Sequence, residues 1–357
     1  MKLAIISLES ESSKMIAEEA KNYFSQVDLL NIKEIEINVN KDGAEVLYKN
    51  EPIEKYDCVY CRGSYKYAVL LRSITHTLNK EAYMPLASES FTIGHDKFLT
   101  LIKLQKNNIP VPKTYLTATT KQAKKIIKNI HYPAILKTPS GTHGKGVMFA
   151  DSPESAKSMI DALEVFKQPY IIEEYIETNA TDIRAFVVGD EVVASMKRKA
   201  IKGELRANLH AGGEAQYIIL DYDTKQLAIK SAKALNASIC GVDILQGVKP
   251  LILEVNISPG LQGITKISKK NIAEHIAKFL IQETKKFKQL KKSSDYNNVL
   301  KEYNIHDKKE IITNLNIKAG VIRLPSSFTQ ITKFKDEEDV EITVKEKFLK
   351  IKKHDIK

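Results

Sequence analysis

Short apolar runs alternate with helical spacing in the first part of the chain. Leu3 to Ser7 has the pattern of a buried strand, and Ser12 to Phe24 follows with the spacing of a helix. Ile32 to Val39 and Cys58 to Tyr60 have strand patterns as well. Strands that alternate with helices predict a parallel sheet covered by helices.

Longer segments with helical spacing recur through the rest of the chain. Thr92 to Asn107 predicts a helix that carries Lys97 and ends before the prolines of Asn108 to Pro112, since proline cannot continue a helix. Further predicted helices cover Ser152 to Glu164, Thr224 to Leu235 and Asn271 to Phe287.

Two apolar runs, Ile239 to Leu245 and Leu251 to Ile257, flank a Gly/Pro turn and predict a hairpin or two neighbouring strands. Asp243 then lies on one strand, and Glu254 and Asn256 share a face of the other because strand side chains alternate. Three oxygen donors on strands are typical of a magnesium site that substrate phosphates complete. The alternative is a half-buried strand whose polar face carries these residues.

A glycine-rich loop follows a short apolar strand that ends in Lys137. The loop contains Gly141, Gly144 and Gly146, and Val147 to Ala150 continues as a strand. Glycine lets successive amides approach a phosphate closely. A Walker loop would lead into a helix, so this loop is of another kind. A hairpin turn without a ligand is the alternative.

Tyr170 to Ile176 is an apolar strand that ends in carboxylates, and it offers backbone groups for an adenine edge. Beyond it lie three charged segments: Asp182-Ile-Arg184, Lys197-Arg198-Lys199, and Arg206-Ala-Asn208-Leu-His210-Ala-Gly-Gly213.

Composition limits the classes of protein. A chain of 357 residues with 43% hydrophobic residues predicts two to three domains with ordinary cores. No apolar stretch approaches ~18 residues, and Met1 to Ser7 lacks the features of a signal peptide, so we expect no membrane span and a cytoplasmic location. Three cysteines fit reduced thiols, and a zinc or redox use of Cys58 and Cys61 is the alternative.

Taken in order, these motifs resemble those of the ATP-grasp ligases, and more narrowly the RimK-type amino-acid ligases. The resemblance covers roughly residues 1 to 285 and is most specific at Asp182 to Ala194, Arg206 to Gly213 and Gly241 to Leu261. It implies an α/β fold of the α+β grasp type. The implied domains are an N-terminal nucleotide-fold-like pre-ATP-grasp domain (1–90), a small grasp lobe (91–168), a large grasp lobe with the metal site (169–285), a linker (286–304) and a small, mostly β C-terminal domain (305–357).

The resemblance also implies roles for individual residues. Asp243, Glu254 and Asn256 would hold magnesium or manganese, as two ions, and Arg206 and Asn208 would hold the phosphate or the intermediate in catalysis. The implied ATP-binding residues are Lys97, Lys137, Gly141, Gly144, Gly146, Glu174, Tyr175, Ile176, Asp182 and Arg206. Arg184, Arg198 and His210 are candidates for the amino-acid carboxylate, with a salt bridge to Glu173, Asp190 or Glu204 as the alternative for each.

The implied activity is an ATP- and magnesium-dependent carboxylate–amine ligase that works through an acyl phosphate. A basic pocket suits L-glutamate, and the acceptor would be a protein tail or a glutamylated small-molecule cofactor. Alternatives are a ligase for another amino acid or for a carrier protein in amino-acid biosynthesis, and a nucleotide-binding regulator with a nucleic-acid-associated basic tail.

The tail departs from the family pattern. Residues 285–357 hold 17 Lys and 1 Arg against 11 acidic residues, a net charge of +7 out of +11 for the chain. Lys285 to Asn298 has the pattern of a frayed helix end and linker, and period-two runs beyond it predict strands. The tail weakly resembles the swapped-hairpin AbrB-like domains, whose dimers can bind DNA. An oligomerisation or acceptor-recruiting module is the preferred interpretation, and it would make the protein a homo-oligomer.

Overall fold

A computed structural model describes residues 1–41, 43–137, 146–165, 169–200, 214–302, 316–318, 321–323, 340–345 and 348–353. The chain divides into two compact units, Met1–Gln289 and Leu290–Lys357.

The N-terminal sheet is parallel, as the alternating pattern predicts. Its strands are β1 (Lys2–Ser7), β2 (Gln26–Asn31) and β6 (Cys58–Cys61), in the order β2-β1-β6. Helices α1 (Glu11–Ala20) and α2 (Ala68–Leu78) pack against this sheet. The strand residues Leu3 to Ile6 are fully buried and form part of the main core.

The strand predicted at Ile32 to Val39 begins three residues later than predicted and belongs to another sheet. Strand β2 ends at Asn31, whose side chain accepts a hydrogen bond from the N–H of Lys33 and caps a 3-10 turn, Ile32–Glu34. The next strand, β3 (Ile35–Asn40), belongs to a separate antiparallel sheet with β4 (Gly43–Tyr48) and β5 (Glu51–Pro52).

The helix predicted at Thr92 to Asn107 is two helices, α3 (Ser88–Ile93) and α4 (Lys97–Lys106). Asp96 caps α4, because its side chain accepts from the N–H groups of Phe98 and Leu99 at 2.9 and 2.8 Å. This break places Lys97 at the first position of α4.

A four-stranded antiparallel sheet has the order β7-β10-β8-β9. The strands are β7 (Thr114–Thr117), β8 (Ala134–Lys137), β9 (Val147–Ala150) and β10 (Tyr170–Glu174). Helices α5 (Thr120–Ile126) and α6 (Pro153–Glu164) pack with it around their own apolar cluster, which includes Leu136, Ile160 and Ile172. Helix α6 begins as predicted because Ser152 and Ser155 form a capping box before it.

A five-stranded antiparallel sheet has the order β13-β12-β11-β14-β15. Its strands are β11 (Thr181–Val188), β12 (Glu191–Lys199), β13 (Glu214–Tyr217), β14 (Ile239–Gln246) and β15 (Pro250–Asn256). Strands β14 and β15 form the predicted hairpin, with a register shift after Asp243. Helices α7 (Tyr222–Ala234), α8 (Gln262–Ser268) and α9 (Ile272–Glu302) follow in the chain.

The prediction for Lys285 to Asn298 was wrong. These residues, predicted as a frayed helix end and linker, belong to helix α9, which extends to Glu302. Beyond it the described residues form two antiparallel hairpins, as the period-two pattern predicts. Their strands are β16 (Asn316–Lys318), β17 (Val321–Arg323), β18 (Val340–Lys345) and β19 (Phe348–Lys353).

Two expectations from composition can be compared with the structure. Within the described ranges, no helix is both long enough and apolar enough to cross a membrane. Cys58, Cys61 and Cys240 are free and buried, and burial raises the pKa of each thiol to about 12. Such thiols stay protonated at neutral pH, which argues against the redox alternative.

Candidate active site

Residues from the N-terminal, four-stranded and five-stranded sheets line one cavity of about 770 Å³. That volume is typical of a site for small-molecule ligands. The predicted residues that the structure places on its wall are Lys97, Lys137, Glu174, Tyr175, Ile176, Asp182, Arg184, Arg198, Asp243, Glu254 and Asn256. The cavity therefore brings together side chains that lie up to 159 residues apart in the chain.

Five of the predicted residues lie outside the part of the chain that the structure describes: Gly141, Gly144, Arg206, Asn208 and His210. Their roles therefore stay predictions.

Lys137 has a counterion within this cavity. Its Nζ lies 2.6 Å from Oε1 of Glu173; Glu173 is buried and Lys137 is half-buried. Strands β8 and β10 pair antiparallel with Lys137 opposite Ile171, so Lys137 and Glu173 are diagonal neighbours on one face of the sheet. Gly146, the last glycine of the loop, has φ +77°, a conformation that favours glycine, and leads into β9.

Two backbone groups of the strand end predicted to face an adenine form hydrogen bonds within the protein. The N–H of Glu174 donates to the carbonyl oxygen of Lys113 at 3.0 Å, and the N–H of Tyr175 donates to that of Pro133 at 3.2 Å. These two N–H groups are therefore not available to a nucleotide. Ile176 also lines the cavity, so this strand end stays the candidate for the adenine edge.

The hairpin of β14 and β15 brings the predicted metal ligands together. Asp243 lies directly opposite Glu254 in the register. The Asn256 amide is best satisfied with its nitrogen donating to Glu254 Oε1 and its oxygen accepting from Arg184 Nη2, both at 2.9 Å. Asp243, Glu254 and Asn256 thus form one group of oxygen donors on the cavity wall.

Two arginines bind the carboxylates of this group. Arg184 Nε and Nη2 lie 2.7 and 2.6 Å from the two oxygens of Asp243. Arg198 binds Asp182 in the same two-pronged way, at 2.6 and 2.8 Å, and its Nη2 also lies 3.0 Å from Asp243 Oδ2. This network joins the neighbouring strands β12, β11 and β14 at one level of the sheet.

Two of the three salt-bridge partners named as the alternative for Arg184 and Arg198 pair with other residues. Glu173 pairs with Lys137, and Asp190 pairs with Lys233 at 2.7 Å. Glu204 lies outside the described residues. The actual partners of Arg198 are Asp182 on the neighbouring strand β11 and Asp243 on β14, one strand further. Only the sheet register reveals this relationship.

The two carboxylates of the hairpin differ in their electrostatics. Burial raises the pKa of Asp243, but the charges of Arg184 and Arg198 outweigh it and bring the pKa to about 2. Burial, and next the charge of Asp243, raise the pKa of Glu254. Burial lowers the pKa of Lys97, while Glu254 acts in the opposite direction. Glu254 thus favours a cationic ligand more strongly than Asp243 does.

These residues fit a magnesium ion rather than zinc. Across the described parts of the chain, no three His, Cys, Asp or Glu side chains come together that could hold a metal ion by themselves. An ion here would depend on Glu254 and ligand oxygens, with the Asn256 oxygen and Asp243 added if Arg184 releases them. Magnesium accepts such a mixed set of oxygens, whereas zinc prefers nitrogen and sulfur.

The predictions did not assign any role to two residues on the cavity wall, Arg62 and His95. Arg62 follows β6 and is 4% exposed. His95 lies between α3 and α4, and burial lowers its pKa to about 4. Arg62 stands at the end of a predicted strand, which is the one signal in the sequence that could have identified it. For His95 the only such signal is its position two residues before Lys97.

Comparison with known families covers most of the first unit. Residues 94–280 match the RimK-like ATP-grasp domain, and residues 1–82 match the RimK PreATP-grasp domain. A relative from Vibrio atlanticus, named "probable alpha-L-glutamate ligase", is 35% identical over 294 residues, which cover 80% of this chain and 97% of the relative. A relative of the same name from Shewanella loihica is 33% identical and covers 80% of this chain and 97% of its own length.

Solved structures show the same fold. The RimK domain ATP-grasp protein of Sphaerobacter thermophilus aligns with a TM-score of 0.62 at 16% identity, covering 78% of this chain and 99% of that one. The ATP-grasp ligase PsnB, complexed with a minimal precursor, Mg and ADP, aligns with a TM-score of 0.62 at 16% identity, covering 80% and 98%.

Fold and cavity together define an ATP-grasp ligase, which confirms the predicted α+β grasp fold. The chain belongs to the RimK-like ATP-grasp family, and it is an ATP-dependent ligase that forms carbon–nitrogen bonds. The family implies ATP and magnesium as the nucleotide and the ion.

Proposed function

We propose that this ligase joins the amino group of L-glutamate to a carboxylate on a protein tail or on a small-molecule cofactor. The observation that carries this proposal is the convergence of Lys97, Lys137, Arg184 and Arg198 with the acidic pair Asp243 and Glu254 in one cavity. Cations there suit the phosphates and a dicarboxylate amino acid, and the acidic pair suits a metal ion.

The reaction takes two steps. A carboxylate oxygen of the acceptor attacks the γ-phosphorus of ATP, and ADP leaves, which yields an acyl phosphate. The amino nitrogen of glutamate then attacks the carbonyl carbon, loses a proton and expels inorganic phosphate, so that an amide bond forms.

The two lysines and the hairpin residues on the cavity wall have tasks in this scheme. Lys97 and Lys137 offset negative charge on the phosphates, and Lys137 exchanges its contact with Glu173 for that one. Magnesium, when bound, neutralises charge on the phosphoryl group that is transferred. Glu254 and Asn256 would hold it, with Asp243 when the carboxylate is released, and two ions are the proposed number. Arg206 and Asn208 are proposed to hold the phosphate or the intermediate.

Two kinds of comparison support glutamate as the amino acid and a peptide as the acceptor. The curated relatives carry the name alpha-L-glutamate ligase at 33–35% identity. PsnB, which shares the fold, has been solved with a precursor peptide.

The test is amino-acid-dependent release of ADP. The purified protein is given ATP and magnesium with each amino acid in turn, alone and with a peptide that ends in glutamate, and products are weighed by mass spectrometry. We expect ADP release with L-glutamate and a peptide that gains one or more glutamate residues. Glutamine is the matched control, because it has the same size but lacks the side-chain charge. An equal kcat/KM for glutamine, or a preference for lysine, would exclude glutamate as the substrate.

A further inference from the structure

Arg62 is a buried cation, and no Asp or Glu forms an ion pair with it in the part of the chain that the structure describes. Its Nη1 donates to the hydroxyl of Tyr60 at 2.9 Å, and its Nη2 donates to the carbonyl oxygen of Pro259 at 2.7 Å. Its Nε is buried and donates to no acceptor among these described residues.

Such an arrangement is costly without a ligand. A charge that leaves water requires a counterion and hydrogen bonds, and arginine is almost never fully buried unless it is paired. The ring of Tyr60, 5.4 Å from the guanidinium carbon, offsets a part of this cost. An anion at the cavity wall would supply the missing charge.

The position of Arg62 in the sheet is one that binds ligands in other α/β folds. In the order β2-β1-β6, the strand that follows β1 in the chain lies on one side of β1, and β6 lies on its other side. The gap between β1 and β6 is therefore a topological switch point of the sheet. Ligands of open α/β sheets bind in the crevice at the carboxyl ends of such strands. Ser7 at the end of β1 and Arg62 after β6 both line the cavity.

The segment that follows β15 lies against this crevice. Ser258 Oγ accepts from the N–H of Gly63 at 3.0 Å, and Pro259 accepts from Arg62. Pro259 is three residues from Asn256, so the two backbone positions lie at most about 11 Å apart. Arg62 and the candidate metal ligands Glu254 and Asn256 line the same cavity, where one substrate can contact both.

We propose that Arg62 binds the non-reacting carboxylate of a dicarboxylate substrate. The planar guanidinium presents a fork that matches a carboxylate. The proposal rests on the ligase acting on carboxylate-bearing substrates. That carboxylate belongs either to the incoming amino acid or to the acceptor end, and the experiment distinguishes these two sources.

The experiment uses the full chain with Arg62→Gln, Arg62→Lys and the control Arg72→Gln, which removes an exposed arginine that does not line the cavity. KM is measured separately for L-glutamate, for the glutamate-terminated peptide and for ATP. We expect Arg62→Gln to raise one of the two carboxylate KM values about tenfold or more, as the loss of a charge-assisted bond does. The affected substrate is the source of the carboxylate. The KM for ATP stays unchanged, and Arg72→Gln stays close to wild type.

A binding measurement separates this proposal from the proposed function. Thermal stabilisation by L-glutamate, by the peptide and by glutarate is recorded in the presence of magnesium and ADP. We expect one of these anions to stabilise the wild type but not Arg62→Gln, while ADP stabilises both. If the wild type releases no ADP with glutamate yet shows this Arg62-dependent stabilisation, the proposed function fails and the site stands.

Two outcomes would overturn the site. One is a folded Arg62→Gln variant with wild-type KM values and wild-type stabilisation by all three anions. If Arg62→Gln does not fold, Arg62→Lys decides, because it keeps the charge and loses the fork. Unchanged KM values in that variant would exclude carboxylate binding by Arg62.

Discussion

Arg184 donates two hydrogen bonds to Asp243, from Nε to Oδ1 at 2.7 Å and from Nη2 to Oδ2 at 2.6 Å. Arg198 adds a contact of 3.0 Å to Oδ2. Both oxygens of a predicted metal ligand are therefore occupied by guanidinium groups. A metal ion that uses Asp243 must compete with Arg184 for it.

The first prediction concerns Arg184→Gln. Removal of one partner from a buried ion pair commonly costs about 3–5 kcal/mol, and Arg198 should limit the loss of unfolding free energy to about 3 kcal/mol. Addition of magnesium with ADP should restore more stability in the variant than in wild type, because Oδ1 of Asp243 is then free to bind the ion. Urea unfolding with and without magnesium and ADP measures both effects.

The control for Arg184 is Lys49→Gln, which removes an exposed ion pair with Glu34 at 3.6 Å. Such a pair contributes about 0–1 kcal/mol. If Arg184→Gln lowers the unfolding free energy no more than this control does, the hydrogen bonds from Arg184 to Asp243 do not stabilise the fold.

The second prediction concerns Glu254→Gln. Burial raises the pKa of Glu254, so the charge is unfavourable in the absence of a cation. A neutral amide of the same shape should therefore leave the unfolding free energy unchanged or raise it. Loss of one charge-stabilising group commonly costs ~10²-fold or more in rate, and we expect kcat for ADP release to fall by that factor.

Asn256→Ala is the companion to Glu254→Gln, because Asn256 contacts Glu254 at 2.9 Å with its amide turned as described. Steady-state ADP release at saturating magnesium measures both variants. Near-wild-type rates in the two together would rule out this pair as metal ligands.

The sequence predicted the site better than it predicted the connections within it. Periodicity placed Asp243 and Glu254 on adjacent strands, because a Gly/Pro turn between apolar runs leaves few alternatives. It could not predict that Arg198 reaches Asp243 across β11, since cross-strand register depends on the whole sheet. The break between α3 and α4 was missed because Gly94 to Asp96 interrupts the helical pattern only briefly, although Asp96 is a strong capping residue.

The third prediction concerns pH and His95. Burial lowers the pKa of His95 to about 4, below the ordinary 6.5, so the folded state binds its proton less readily than the unfolded state. The corresponding stability is present above pH 6.5 and is lost as the pH falls from about 6.5 toward 4. His95→Gln should show a shallower fall of the melting temperature over this window.

His131→Gln is the matched control, because His131 is exposed. The melting temperature of all three proteins is recorded between pH 4 and 7.5. If His95→Gln and His131→Gln follow the wild-type curve equally, burial of His95 does not govern acid stability.

The last prediction concerns residues 290–357. Every residue on the cavity wall lies in the unit Met1–Gln289, and the family match ends at residue 280. A chain that ends at Gln289 should therefore keep glutamate-dependent ADP release with small acceptors. The second unit is small for independent stability, which favours association with another chain or with the acceptor. Truncation should therefore abolish self-association or slow the reaction with a macromolecular acceptor, since a recruiting module raises the acceptor's effective concentration.

Analytical ultracentrifugation and rates on peptide and protein acceptors measure these effects for the full and shortened chains. The same oligomer and equal rates in both would exclude both roles for the tail. Because residues 285–357 carry a net charge of +7, DNA binding of the full and shortened chains is measured as well, at low and at high salt. A salt-sensitive DNA affinity that truncation removes would favour the nucleic-acid hypothesis, because contacts to phosphates weaken steeply as counterions compete. A full-length chain without such affinity leaves association or acceptor recruitment as the purpose of this basic, β-rich extension.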